Sequence, residues 1–452
     1  METKRCLCLS ALALLLAASG TPISSKLHAS DETVKLRTAV DRPLLETGGG
    51  GSSVVVKIEV EGCAAPKRKR ESLNLAIVLD RSGSMSGAKL EQAKQAALLL
   101  VDQLDADDVL SLVVYETEVQ VVLPASRLGD RRREVRRLIE RIETGGSTAL
   151  YGGVEEGSRQ LREFLGKERI NRVLLLSDGI ANVGPSDNRS IADLGRRIAR
   201  EGMSVTTIGL GNDYNETLMT ALAEASDANY YYVADVETLP EVFAKELGEL
   251  QSIVAREIVI EIRCPKGVKP IRFLGRPGEL KSSTESVTFS TVSGGQKREI
   301  YLECRVEGEA LGKVNEIASV AMRYADASSK AVVESKAAPV VVGYTQDKAL
   351  ASRSVDQTIV AEAAIFDNAV ATEEAIAYAD KGEAASSRSI LDRQILKLKE
   401  VQAAAPAAQQ KALDEEIETI TRAREELDSD RLSSEQRKQL SNRAWMMRNA
   451  KR

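Results

Sequence analysis

The chain has 452 residues, 62 Lys and Arg against 67 Asp and Glu, a net charge of −5 and one histidine. That length accommodates about three domains, and the mildly acidic balance argues against nucleic-acid binding, which normally needs a basic surface. The one histidine, His28, excludes a His-rich zinc site, and a Ser-His-Asp triad too unless the N-terminal region folds back.

In chain order, Lys4 and Arg5 precede an apolar stretch from Cys6 to Ala18, too short to span a bilayer comfortably, and small residues follow at Ala18-Ser19-Gly20. This is the pattern of a secretory signal over residues 1–20. Cys6 and Cys8 open the apolar stretch instead of following it, unlike a lipoprotein signal. With no other segment apolar enough to span, the mature protein is expected to be exported, to the periplasm, cell surface or extracellular space, without a transmembrane segment.

Val54, Val56, Ile58 and Val60 then alternate with mostly polar neighbours, as in a half-buried strand. The run Lys67-Arg68-Lys69-Arg70 reads as a solvated linker. From Asn74 to about Leu250 strand and helix patterns alternate, which predicts a mostly parallel sheet with helices on both faces. Strands are predicted at Asn74–Leu79, Val109–Tyr115, Glu118–Leu123, Arg172–Leu176, Ser204–Ile208 and Tyr230–Val233. Helices are predicted at Ala88–Leu104, Arg131–Ile142, Ala149–Leu165, Ser190–Glu201, Glu216–Ala225 and Leu239–Ser252. The short polar turn inside Val109–Leu123 makes those two strands a hairpin, so one strand is antiparallel.

Period-two alternation returns at Ile258/Ile260/Ile262 and Ile300/Leu302/Cys304/Val306, with further apolar runs at Ile317–Met322 and Val340–Val342. Short strands at this spacing suggest a β-sandwich. A lone N-terminal strand pair would be unstable in water, so residues 30–70 and 253–345 are expected to build one sandwich around an inserted α/β domain, residues 74–251; two separate modules are the alternative. Cys264 and Cys304 fall on core-facing positions, as buried free thiols or as a disulfide pair. Residues 346–452 are Ala-, Glu- and Arg-rich and are expected to be helical. Ala375–Lys381 and Ser387–Val401 read as two helices joined by a turn, and Leu413, Ile417, Ile420 and Leu427 form an apolar stripe. A small bundle, or a hairpin packed on the sandwich, accounts for them; a helical partner site is the alternative.

The chemistry concentrates at the end of the first α/β strand. Leu75-Ala76-Ile77-Val78-Leu79 stops at Asp80-Arg81-Ser82-Gly83-Ser84. A carboxylate and two hydroxyls at alternate positions could cap a helix, or turn three oxygens toward one hard cation. Two further loops carry oxygens: Thr144-Gly145-Gly146-Ser147-Thr148 and, after a second apolar strand, Ser177-Asp178-Gly179. Open α/β sheets bind ligands at the carboxyl ends of strands where the strand order reverses.

In these residues the chain resembles the von Willebrand factor type A (VWA) family. Asp80, Ser82, Ser84, Thr148 and Asp178 match, in order, the five positions of that family's metal-ion-dependent adhesion site, and the flanks Ser84-Met85-Ser86-Gly87, Gly145–Leu150 and Leu175–Gly179 match too. The resemblance implies a doubly wound, Rossmann-like domain binding a divalent cation, with Mg²⁺ expected, Mn²⁺ an alternative and Ca²⁺ a poorer fit to two carboxylates and three hydroxyls. It implies a non-enzymatic adhesion or assembly module whose metal takes an acidic side chain from a partner protein. Loops at the same end of the sheet, Ile180–Asn188 and Gly211–Asn215, with Asn182 and Tyr214, are expected to form the partner-binding rim. A scaffold whose metal only stabilises three loops, and a Mg²⁺-dependent phosphoesterase, are the competing readings. The second lacks an evident nucleophile.

Overall fold

A computed structural model of the chain describes residues 33–48, 51–63, 70–166, 169–307, 314–429 and 431–449. The expected signal segment, His28 and Lys67–Lys69 lie outside these residues. Among the described residues no helix is long and apolar enough to cross a membrane.

The chain opens with strands β1 (Val34–Val40), β2 (Leu44–Glu46) and β3 (Ser52–Gly62). The α/β unit follows as β4 (Ser72–Asp80), α1 (Ala88–Gln103), β5 (Val109–Tyr115), β6 (Val119–Arg127), α2 (Arg132–Glu140), α3 (Leu150–Arg162), β7 (Arg169–Ser177), α4 (Asn188–Arg200), β8 (Ser204–Leu210), α5 (Glu216–Ala225), β9 (Tyr230–Val233) and α6 (Leu239–Gln251). Next come β10 (Ile253–Arg263), β11 (Val268–Phe273), β12 (Thr284–Ser293), β13 (Lys297–Val306), β14 (Val314–Asp326), β15 (Val332–Glu334) and β16 (Ala338–Thr345). Helices α7 (Lys348–Arg353), α8 (Gln357–Asp380), α9 (Ala384–Ala404), α10 (Ala407–Glu426) and α11 (Ser434–Arg448) complete the chain.

The sheet of the α/β unit has the order β6-β5-β4-β7-β8-β9. Only the β5–β6 hairpin is antiparallel. Leu73 to Leu79 of β4 are all buried, which a central parallel strand with both faces covered requires. Leu75, Ile77 and Leu79 point to the face carrying α1, α2 and α6, through Leu90, Ile139 and Phe243. Ala76 and Val78 point to the face carrying α3, α4 and α5, through Val154, Ile191 and Leu222. The chain leaves β4 toward β5 on one side and returns to β7 on the other, so the switch in strand order lies between β4 and β7.

Strands before and after this unit pair directly. β3 lies between β1 and β13, and β11 completes a four-stranded antiparallel sheet. A second sheet runs β12-β10-β14-β16-β2, with β15 also on β14. Val54, Val56, Ile58 and Val60 of the first sheet and Ile258, Ile260 and Ile262 of the second are buried in one apolar core. Cys264 and Cys304 are free thiols in that core. The basic run is not wholly a solvated linker: Arg70 grips Asp108 through two hydrogen bonds of 3.0 and 2.6 Å, and Asp108 has no exposed surface.

The C-terminal helices share a core of their own, including Ile376, Leu391, Leu413 and Ile420, and dock on both other units. Ile359, Ala363 and Phe366 of α8 cover Leu274 and Tyr301 of the four-stranded sheet. Asp367 of α8 accepts hydrogen bonds from Arg272 of β11 and Lys397 of α9. Burial pushes this carboxyl up, but the two cations outweigh it and hold it below the usual 3.8. The unfolded chain then takes up the proton more readily than the native one, so the stabilisation is complete above that usual value and is lost as pH falls through the lowered one. Asp367→Asn is expected to cost about 1 kcal/mol at pH 7, since both partners are partly solvated. Melting curves in strongly acidic buffer should show wild type and variant converging.

Candidate metal centre

The carboxyl ends of β4 and β7 bring three loops to one point. Asp80 closes β4, and its two oxygens accept from the Ser82 N–H at 2.8 Å and the Ser177 hydroxyl at 2.7 Å. The first of these bonds turns the chain into a tight 3-10 turn, Gly83–Met85. None of the three oxygen side chains caps a helix: neither this turn nor α1 has a side-chain cap, and α1 starts after Gly87, whose φ of 78° belongs to the left-handed region. The capping alternative is therefore excluded, and the oxygens face one another. Ser82 Oγ lies 3.1 Å from Ser84 Oγ, and Ser84 Oγ donates to Asp178 Oδ1 at 2.7 Å.

Backbone hydrogen bonds fix the loop bearing Thr148 against the first loop. Gly83 N–H donates to Gly146 O at 3.0 Å, and Gly145 N–H donates to Arg81 O at 2.7 Å. Glu116 braces the same loop by accepting from the N–H groups of Thr117 and Gly146, which hold its carboxyl below the usual range. Asn182 accepts from the Thr148 N–H at 2.8 Å and donates its own N–H to Thr148 O at 3.2 Å. Thr148 is buried, yet a Cβ placed on Gly179 would come within 3.1 Å of its Oγ1 and 3.4 Å of Ser84 Oγ. Gly179 thus leaves open the space on which the threonine and serine hydroxyls converge. Any side chain there would fill it.

All five predicted ligands, Asp80, Ser82, Ser84, Thr148 and Asp178, therefore line one cradle. Asp80 and Asp178 are fully buried, whereas Ser84 is exposed and opens the cradle to solvent. Burial pushes the Asp80 carboxyl above its ordinary range, and the negative Asp178 adds to the shift. Two buried carboxylates held close together call for a cation. The donor set consists of carboxylates and hydroxyls without sulfur or imidazole, which suits a small, hard divalent ion. When bound, such an ion would supply a Lewis-acidic position for a further oxygen ligand at the Ser84 side.

One predicted rim residue is misplaced. Tyr214 is buried, with 2% exposure. Its ring lies where a Cβ on Gly209 would sit 2.2 Å away, and its hydroxyl shares a 2.7 Å hydrogen bond with that of Tyr230. The expectation that Tyr214 contacts a partner is overturned, because the tyrosine fills a gap that Gly209 leaves in β8. Asn182 is exposed at the rim, although its amide oxygen is engaged with Thr148. The rim loop that the sequence did place, Ile180–Asn188, contributes one further residue, and sequence reasoning missed the roles of two others, Ser177 and Lys89. Ile180, beside Asp178, is 61% exposed. Ser177 supports Asp80. Lys89, on the first turn of α1, places its Nζ 2.5 Å from Asp178 Oδ2. An apolar residue next to Ser177-Asp178-Gly179 was a legible signal for Ile180, but Lys89 carried none until the fold was known.

Residues 74–245 match the von Willebrand factor type A domain. The uncharacterised protein YfbK of Escherichia coli strain K12 is 32% identical over 217 residues, covering 47% of this chain and 38% of that protein. The chain spans less than half the length of the first curated relatives that it matches. Among solved structures, a von Willebrand factor type A protein from Catenulispora acidiphila superposes with a TM-score of 0.67 at 16% identity, over 94% of this chain and 99% of that one. The ArnB paralog VWA2 from Sulfolobus acidocaldarius follows at 0.58 and 17%, over 92% and 98%. These two likenesses concern the fold, and they extend well beyond the matched segment into the flanking strands and helices. Within this larger architecture, residues 74–245 are a von Willebrand factor type A domain.

Proposed function

We propose that this protein is an exported, non-enzymatic binding module that captures a carboxylate of a partner protein through a divalent cation, Mg²⁺ by preference. The observation that carries this reading is the convergence of five oxygen side chains from three loops, open to solvent on the Ser84 side. The two aspartates would balance the charge of the ion, and the incoming carboxylate would complete its shell. Asp80 and Ser177 hold the first loop, Asn182 and Glu116 hold the second, and Ile180 offers an apolar contact beside the metal. Such an exposed apolar residue at the rim of a polar site suits a protein surface more than a small soluble anion. The strands on either side of the VWA domain act in this reading as a β-sandwich split by the insertion, which carries the domain with its metal face outward.

A peptide array probed with Mg²⁺-loaded protein tests the reading. Peptides with Asp or Glu are expected to bind, their Asn and Gln counterparts are not, and EDTA or Asp80→Ala should abolish the signal. Binding that ignores EDTA would overturn metal-mediated capture. A metal that only stabilises the loops would raise the melting temperature without producing any acid-selective binding.

A further inference from the structure

Asp178 has two oxygens and two different partners. Oδ1 accepts from Ser84 Oγ, and Oδ2 accepts from Lys89 Nζ at 2.5 Å. Asp80 is held by neutral donors, among them the Ser82 N–H and the Ser177 hydroxyl. The nearest guanidinium in sequence, Arg81, turns away to Glu116. Among the described residues, the ion pairs of this site thus contain a single cation, the Lys89 ammonium, against two fully buried carboxylates. The contact is built into the fold. Gly87 turns the chain into α1, Lys89 sits on the first turn, and its side chain runs between Asp178 and the loop after β8, where a Cβ on Gly211 would lie 3.8 Å from Nζ.

We propose that Lys89 is a tethered counter-cation of the metal site, a specificity-determining residue that competes with the divalent ion for Asp178. This inference rests on the metal-binding reading above and deepens it. Without metal, the ammonium neutralises a carboxylate that would otherwise be buried beside a like charge, so the empty cradle keeps its shape. A divalent ion that settles among the hydroxyls of Ser82, Ser84 and Thr148 meets a positive charge already resting on Asp178. It has to draw that carboxylate away from the lysine. Lys89 is one-quarter exposed while Asp178 is fully enclosed, so the lysine is the partner with room to leave. Metal affinity is then set by a competition within the chain, and only ions that bind carboxylate more strongly than an ammonium does can load the site.

The test uses the full chain with Mg²⁺ itself as the probe, in calorimetry and in melting experiments without metal. Lys89→Met removes the competitor and keeps an unbranched side chain of similar reach, and Lys89→Arg keeps the charge. Lys89→Gln serves as a second neutral variant should the methionine variant fail to fold. The neutral variants are expected to bind Mg²⁺ about tenfold more tightly than wild type, within the usual range of coupling between two sites. They should melt lower than wild type when metal-free and gain more on adding Mg²⁺. Lys89→Arg should resemble wild type in both respects. Equal or weaker Mg²⁺ binding by the neutral variants overturns the competition and leaves the metal site standing. No binding by wild type or any Lys89 variant overturns the metal reading and the competition together.

Discussion

Asp80→Ala is expected to abolish measurable Mg²⁺ binding. The substitution removes one of only two carboxylates in the cradle and frees the Ser82 N–H that fixes the first loop. Hydrogen bonds to charged groups contribute about 1.5–3 kcal/mol each, and the lost charge acts directly on the ion. A decrease on the order of 100-fold or more in affinity follows from about 3 kcal/mol. Asp178→Ala should weaken binding strongly without eliminating it, since Ser84 then loses its acceptor but Asp80 stays in place. Loss of binding can be told apart from loss of folding. Asp80 is raised by burial and by a neighbouring negative charge, so its removal relieves a cost in the metal-free protein. The variant should stay folded and lose only the metal-dependent increment, which for wild type is about 2.7 kcal/mol at a free ion concentration 100 times Kd. Unchanged calorimetric titrations in both variants would refute the assignment of the site.

The second large effect is expected far from the metal. Trp445, in the last helix, is the only tryptophan of the chain and is 2% exposed. Its ring meets Tyr230 of β9 edge-on, with centroids 5.9 Å apart, and belongs to the same apolar cluster as Val78 and Val205 of the VWA sheet. Polar contacts reinforce this seam. Lys438 donates to the Tyr214 carbonyl at 2.8 Å and to Glu216 at 2.9 Å, and Ser434 donates to the Asn212 carbonyl at 2.5 Å. Trp445→Ala is expected to cost about 3–5 kcal/mol, the usual range for a buried aromatic truncated in a core. Denaturant unfolding followed by far-UV circular dichroism measures it. Native emission of this one tryptophan reports on the seam independently, and Tyr230→Ala should shift it toward the red. A cost under about 1 kcal/mol would mean that α11 does not hold the VWA domain, since only surface substitutions are that mild.

What the sequence disclosed, and what it hid, follows from the range of the forces involved. The strand ending at Asp80 was legible because burial on both faces produces a continuous apolar run, and the five oxygens were legible because each loop carries its motif locally. β1 was missed, since only Val34 of its seven residues is fully buried and the run is too short to stand out in the sequence. The region of α8 was read as helical, but the start of the helix was not delimited, for the opposite reason. Buried residues lie all round it, from Ile359 to Ala375, so it presents no single apolar stripe. Tyr214 was misjudged because only the fold sets it over Gly209 and beneath Lys438, 224 residues away. Lys89 looked like any lysine on a first helical turn, and its 2.5 Å contact with Asp178 spans 89 residues.

The pairing of β3 with β13 has a consequence for the order in which the chain can fold. Ser53 and Glu303, hydrogen-bonded across that pair, stand 250 residues apart, with the whole VWA domain between them. Contacts so distant form slowly, because the intervening chain must first be drawn together. Here the insert solves part of the problem when it folds. Ser72 and Gln251 become the ends of one compact body, and the loop to be closed shrinks to the short link before the insert and the β10–β12 segment after it, which lowers the entropy of closure. During synthesis β3 emerges long before β13 and has only β1 to pair with, leaving its other edge open to other chains. Folding of the VWA domain ahead of the sheets around it would therefore be a kinetic precondition for them. A lesion that merely slows the folding of the insert should appear first as aggregation through β3.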